Sequence, residues 1–442
     1  MWALRIQVRP GLADLFSREH DWTRLSLRVR RNYYLAMIKK IKVEQLKPGI
    51  FVHDFNCGWL HHPFLRNRVK ITTDKEIEKV FHHQIRELYI DTDKGLDVDD
   101  APTKPEVDQE IQTEITKIDE PDVQDRARVA LREEIIRAKK LLSEVKKKTQ
   151  LLMDDVKLGK QLDMQQAENI VDKMTESVLN NSAALVSLAK IKSKDEYTYL
   201  HCIAVAALCI SFGEHLGLDD KKIKAIGVGG LLHDIGKVRI PTEILNKPGP
   251  LSEEEFEIMK EHVKHGDCIL RQTSNIDEDS ICVTVHHHER LDGTGYPEGL
   301  KGEEISPFGQ MAAIVDIYDA LTSERCYKNP MAPTDALRKL FEWSNSYLNR
   351  ELVERFIAHL GIYPVGSVVR LQSGLIGVVI DHGEKGLLYP VVRALYDAGK
   401  EKVVSPFDID LAKQEAGDHA DEVVSCESPG RWNLRPEKYL SL

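Results

Sequence analysis

The chain has 442 residues, 42% of them hydrophobic, with 71 Asp and Glu against 61 Lys and Arg for a net charge of −10. That length divides into two or three domains, and the apolar share excludes a globally disordered chain. The acidic balance excludes a broad duplex nucleic-acid binder, which neutralises phosphates with basic patches, but leaves room for one small phosphate-bearing ligand in a locally positive pocket.

Residues 1–36 stand apart, with seven arginines and no lysine. They read as a basic arm or, by preference, as an atypical segment upstream of a natural start at Met37. They show no apolar core with a small-residue cleavage site, so no secretory leader is expected. Residues 37–97 read as a small α/β domain. KIKVEQLKPGIFVHDF gives strand, Pro48-Gly49 turn and strand. ITTDKEIEKVFHHQI gives a strand end and a helix capped by Thr73 or Asp74, and ELYID gives a returning strand. The pairs His61-His62 and His82-His83 have no carboxylate or cysteine at ligand spacing and read as surface histidines.

Residues 98–125 read as an acidic linker. Across 91–125, thirteen Asp and Glu face three Lys, with Pro102, Pro105 and Pro121, and such a block repels itself and stays extended. A linker helix over 126–154 follows. In it Leu131, Ile135, Ala138, Leu142, Val145, Thr149 and Leu152 recur in steps of four and three. The seam has two readings: a coiled coil that makes a homodimer through residues 131–152, or a helix packed on its own domain. Residues 155–360 are helical by period, with Gly/Pro loops at 246–251 and 291–309. Their longest uncharged apolar run, Cys202–Gly213, is far short of the ~20 residues of a membrane span. Residues 361–442 carry short Val/Ile runs cut by Gly-containing turns and read as a small β appendage. The seven cysteines are scattered, with no C-x-x-C pair, which fits reduced thiols in a cytoplasmic protein.

The chemistry concentrates in 155–360. His201 lies in DEYTYLHCIAVAAL, His233-Asp234 in GGLLHDIGK, His262 in KEHVKHG, His287-His288 in HHHERLDGTGYP and Asp316 in AAIVDIYDALTSERCYK. A polar or charged group in an apolar surround is costly unless paired or metal-bound. One such residue is ordinarily a satisfied core histidine; five segments that repeat the pattern point to a metal centre. Imidazole and carboxylate without cysteine suit Fe, Mn, Co, Ni or Zn. An Asp beside a His can bridge two ions, and two ions ~3.5–4 Å apart can activate a hydroxide and clamp both oxygens of a phosphoryl transfer. Lys237, one turn after Asp234, is placed to meet a phosphate oxygen.

H-D-x-G-K, H-H-E-x-x-D-G-x-G-Y-P and D-x-x-D-A-L-T-S-x-R-x-Y, in that order over about residues 195–360, resemble the HD-GYP family of metal-dependent phosphodiesterases within the HD superfamily. LKPGIFV and W-x-x-x-P-F over 38–97 more loosely resemble the small domain of unknown function often found before HD-GYP domains. The resemblance implies a mainly α fold: a helical HD-type phosphohydrolase bundle, with the small α/β domain before it and the β appendage after. It implies hydrolysis of a cyclic dinucleotide, cyclic di-GMP or 3′,3′-cyclic GMP-AMP, to a linear dinucleotide, with mononucleotides as the product of a second cut left open.

The family's metal ligands fall on His201, His233, Asp234, His262, His287, His288 and Asp316, with His286 and His265 as non-ligands. Asp234 and Lys237 are the implied catalytic residues. Lys237, Arg325, Lys328 and the loop residues Asp292, Gly293, Tyr296 and Pro297 are the implied substrate contacts, and glycine lets that loop's backbone approach closely. Some members carry a Glu four residues before the first His and recruit a third metal. Tyr197 stands there, so two divalent ions per chain are expected, Fe, Mn, Ni or Co, with Zn also compatible. The late F-D-P segment reads Leu348-Asn349-Arg350, outside the metal set. Two other readings use the same residues: a receptor that holds the nucleotide without turnover, and an HD phosphohydrolase of another nucleotide. A zinc protease is disfavoured because no H-E-x-x-H occurs.

Overall fold

The computed structural model describes residues 38–57, 68–118, 129–189, 197–247, 249, 251–323, 330–344, 346–383, 387–414 and 420–440. Residues 1–36, the W-x-x-x-P-F motif with His61 and His62, residues 119–125, Arg325, Lys328 and the side chain of Tyr197 lie outside the described residues. The chain forms two compact units, divided at Gln109 and Glu110.

The first unit is a four-stranded antiparallel sheet in the order β1-β4-β2-β3, from β1 (Ile38–Lys42), β2 (Phe51–Asp54), β3 (Val69–Lys70) and β4 (Glu87–Asp91), with helix α1 (Asp74–His82). Thr73 caps α1 in a reciprocal box: its hydroxyl accepts from the Glu76 N–H, and the Glu76 carboxylate accepts from the N–H groups of Thr72 and Thr73. Ile50, Val52, Phe55, Ile71, Val80, Leu88 and Ile90 make this unit's core. His82 is exposed and His83 half-buried, as surface histidines should be.

Helix α2 (Lys104–Ile115) occupies part of the stretch 98–125 that the charge count reads as extended. Two local features outweigh the repulsion. The Glu106 carboxylate accepts from both the N–H and the hydroxyl of Thr103, and Pro105 sits in the first turn, where no N–H is needed. Ile111, Ile115 and Ile118 then pack on the core of the second unit, Glu114 pairs with Arg350 of that unit, and Glu106 and Glu110 stay exposed.

That second unit is a helical bundle joined to a sheet. Its long helix α3 (Leu131–Lys157) buries Ile135, Ala138, Val145, Thr149 and Leu152 against α4 (Met164–Asn180), α5 (Ser182–Ala189) and α6 (Tyr197–His215) of the same chain. The seam therefore packs on helices of its own chain, the second of its two readings. The bundle continues with α7 (Asp220–Leu232), a short α8 (Thr242–Leu245), α9 (Glu253–Arg271), α10 (Glu278–His286), α11 (Pro307–Thr322), α12 (Pro333–Trp343) and α13 (Arg350–Leu360). No described helix is long and apolar enough to cross a membrane.

After Gly361, strands β5 (Val368–Leu371), β6 (Leu375–Asp381), β7 (Val391–Asp397), β8 (Lys402–Asp410) and β9 (Val423–Glu427) form an antiparallel sheet in the order β8-β7-β6-β5-β9. Successive residues point to opposite faces of a strand. Val368, Ile376, Val378 and Leu395 join the helical core, while Val369, Val379 and Val392 build a small core of their own.

Candidate metal centre

Each candidate ligand sits where a helix crosses its neighbours. His201 lies in the second turn of α6 and Asp316 in the middle of α11. His233 caps α7, and Asp234 opens the 3-10 turn Ile235–Arg239 that follows it. His262 is mid-α9, and His287 and His288 follow the end of α10. The glycine of H-D-x-G-K has a steric cause. A Cβ on Gly236 would fall 1.9 Å from the His262 carbonyl oxygen, so only glycine lets this turn rest on α9 and bring Asp234 to His262.

The structure brings all seven candidates together. His201, His233 and Asp234 form one group whose donor atoms lie within 4.8 Å of one another, and His262, His287 and His288 form a second. Asp234 stands between them. Its Oδ2 is 3.3 Å from His233 Nε2 and 3.7 Å from His201 Nε2, while its Oδ1 is 3.5 Å from His262 Nε2 and 4.0 Å from His287 Nε2. Asp316 Oδ1 completes the first group at 3.1 Å from His201 Nε2 and 3.9 Å from His233 Nε2. Lys237 Nζ lies 2.5 Å from Asp234 Oδ2.

The donor set fits divalent ions. The Nδ1 atoms of His233, His262 and His287 rest on the carbonyl oxygens of Gly230, Met259 and Thr284, each three residues earlier. A ring that donates from Nδ1 offers a lone pair at Nε2. Those three Nε2 atoms and Asp234 Oδ1 are buried with no hydrogen-bond partner. An unpaired buried polar atom costs about 1–3 kcal/mol, and four converging in one centre call for a shared partner. Burial, reinforced by nearby cations, pushes His262 down to about 4 and His287 down to about 3, so both rings are neutral near neutral pH, the form that can ligate a metal. Burial opposes ionisation of Asp234 and Asp316. Lys237 leads in overcoming it at Asp234 and His201 at Asp316, and both carboxyls sit well below the usual range; the same two carboxylates raise His233 against its burial, so an ion there would displace the Nε2 proton.

The Tyr296 ring lies 4.7 Å from that of His288, forming a wall beside the second group. Asp292 accepts from the Thr294 N–H, and Gly293 has a φ of +82°; these two and Pro297 shape the loop and are not among the donors. A Cβ on Gly295 would lie 2.4 Å from the Arg290 nitrogen, which explains a glycine there. His286 accepts from the Ser306 N–H and stays outside the centre, and His265 is likewise outside both donor groups.

Two functional residues escaped the sequence reading. Buried Asp319 holds His201 Nδ1 at 2.6 Å; its signal is the second Asp of D-x-x-D, one turn after Asp316. Buried Glu289 accepts from the N–H groups of Glu298, Gly299 and Leu300, which ties the Tyr296 loop to the end of α10; its signal is the Glu of H-H-E.

Comparison with known proteins agrees with this geometry. Residues 165–352 match the HD domain family, and residues 38–167 match a domain of unknown function, DUF3391. The chain is 38% identical over 400 residues to a cyclic di-GMP phosphodiesterase of Pseudomonas aeruginosa, covering 90% of this chain and 94% of that one. It is 41% identical over 165 residues to a cyclic di-GMP phosphodiesterase of Thermotoga maritima, covering 37% and 45%. It is 34% identical over 170 residues to a 3′3′-cGAMP-specific phosphodiesterase of Vibrio cholerae, covering 38% and 33%. With its ligand motifs gathered in one buried centre and a relative matched along nearly its whole length, the chain belongs to the HD-GYP family, an HD domain preceded by a DUF3391 domain.

Proposed function

We propose that this protein is a metal-dependent phosphodiesterase that opens a cyclic dinucleotide to the linear dinucleotide and cuts it onward to mononucleotides. Cyclic di-GMP is the favoured substrate, because the relative matched over 90% of this chain is named for it, with 3′,3′-cyclic GMP-AMP as the alternative. The observation that carries the reading is the Asp234 carboxylate, divided between two groups of histidines in which the Nε2 atoms of His233, His262 and His287 are buried with no hydrogen-bond partner. Two divalent ions, Fe, Mn, Ni or Co, with Zn compatible, would be held by His201, His233, Asp234 and Asp316 on one side and by Asp234, His262, His287 and His288 on the other. When bound, such a pair supplies an activated hydroxide and electrostatic stabilisation of an in-line displacement at phosphorus.

The chain's own groups do the rest. Asp234 binds both halves together. Lys237, anchored beside that carboxylate and one-quarter exposed, holds a phosphate oxygen of the substrate. Arg325 and Lys328 are proposed to contact phosphate or guanine. Tyr296, Asp292, Gly293 and Pro297 form the wall against which the substrate is oriented. The cysteines of the described residues are all free thiols, which supports a cytoplasmic, reducing setting.

The test is a metal-stripped sample reloaded with Mn or Fe and offered a panel of cyclic di-GMP, cyclic GMP-AMP and mononucleotides. Turnover of a cyclic dinucleotide is expected, with two ions per chain, and Asp234→Ala should empty the centre and abolish hydrolysis. Binding of the nucleotide without turnover would make the protein a receptor. Near-native turnover or full metal content in Asp234→Ala would remove the bridging assignment.

A further inference from the structure

The hydrogen bonds behind the histidines are uneven. His233, His262 and His287 lean on main-chain carbonyls, whereas His201 leans on the fully buried carboxylate of Asp319. Asp319 follows Asp316 by one turn of α11, so one helix sets a carboxylate against each nitrogen of a single ring. Asp316 Oδ1 is 3.1 Å from Nε2, and Asp319 Oδ2 is 2.6 Å from Nδ1. The Ser323 hydroxyl donates to Asp319 Oδ1 at 3.3 Å, so the carboxylate is itself held. Nδ1 makes the shorter of the two contacts, and a ring that donates from Nδ1 to Asp319 presents the lone pair of Nε2 to an ion in the centre.

Charge divides the same way. The half built from His201, His233, Asp234 and Asp316 has two carboxylates and a third behind its histidine. The half built from His262, His287 and His288 has only the shared Asp234 among these donors. A dication is better neutralised in the first half, and its presence there repels a second one. Imidazole-rich sites also suit softer borderline ions, and carboxylate-rich sites harder ones.

We propose that Asp319 is a positioning residue for His201 and that the two halves bind divalent ions unequally, the His201 half first and more tightly, the three-histidine half second. The inference rests on the two-ion reading of the centre. Loss of an outer carboxylate behind a metal-bound histidine typically costs about 10- to 100-fold in metal affinity.

Calorimetric titration of Mn²⁺ into the metal-stripped full chain tests it without reference to turnover. The wild type should take up two ions in two separated steps. Asp319→Asn keeps the shape and an acceptor for Nδ1–H but removes the charge. It should weaken the tighter step about 10- to 100-fold, leave the weaker step in place and leave the melting temperature of the metal-free protein unchanged. His288→Ala should remove the weaker step and keep the tighter one. Uptake of fewer than two ions by the wild type would remove the two-ion reading and this inference with it. Two ions of equal affinity, loss of the tighter step in His288→Ala, or Asp319→Asn weakening both steps alike would overturn the inference and leave the two-ion reading standing.

Discussion

Lys237 and Asp234 share a hydrogen bond and have different duties. In the proposed two-ion centre Asp234 is a ligand in both halves, whereas the Lys237 ammonium neutralises it from the side. Lys237→Ala should therefore keep its metal and lose substrate affinity or rate. A charge-assisted hydrogen bond of about 1.5–3 kcal/mol corresponds to roughly 10- to 150-fold. The same is expected of Arg325→Ala and Lys328→Ala. Metal analysis beside kcat and KM checks it, and metal loss in any of the three would place that residue in the coordination shell. Residue type and order along the chain pointed to the segments that hold all seven candidate ligands, because an imidazole or carboxylate is chemically conspicuous in an apolar surround, and the family resemblance set His265 and His286 aside. Asp319 and Glu289 were harder to find. Each acts through a neighbour, on a histidine ring or on three loop N–H groups, and nothing in composition marks an indirect contact.

At the scale of the element, α3 shows how one pattern serves two packings. A seam with steps of four and three suits a partner helix from a second chain as well as three helices of its own. Burial decides between them: Ile135 is fully buried and its neighbour Ile136 is 53% exposed. Ile135→Asp should destabilise the folded chain by on the order of 4 kcal/mol or more, since it removes core packing and buries an unpaired charge. Ile136→Asp should stay within about 0.5 kcal/mol of the wild type. Denaturant melts of the two variants give the comparison. A well-folded, monomeric Ile135→Asp would reinstate the seam as an interface between chains. The α1 boundaries were legible because Thr73 and Glu76 form a local capping box. Helix α2 was not, because its acids dominate any charge count while its stability comes from Thr103, Glu106 and distant apolar neighbours of Ile111 and Ile115.

At the scale of the whole molecule, the change of texture at Gly361 marks a change from helix to strand but not the end of a core. Val365, Val368, Ile376, Val378, Leu395 and Leu440 belong to the same apolar cluster as the bundle's Ile203, Tyr318, Phe356 and Ile357. The sequence conceals this because the strands are apolar on both faces, and alternation that would show which face meets the helices is lost. Burying each such side chain contributes about 1.5–3 kcal/mol, so six of them amount to on the order of 10 kcal/mol. That rivals the entire stability of an ordinary domain, about 5–15 kcal/mol. A chain ending at Gly361 keeps every candidate ligand, yet it should lose cooperative melting, bind a hydrophobic dye and fail to hold metal. A chain beginning at Thr103 keeps α2 whole and the entire apolar cluster, whose members among the described residues begin at Ile111. It should melt cooperatively and take up two ions without the first unit. Cooperative melting and full metal content in the chain ending at Gly361 would show instead that the helices hold the centre without the sheet.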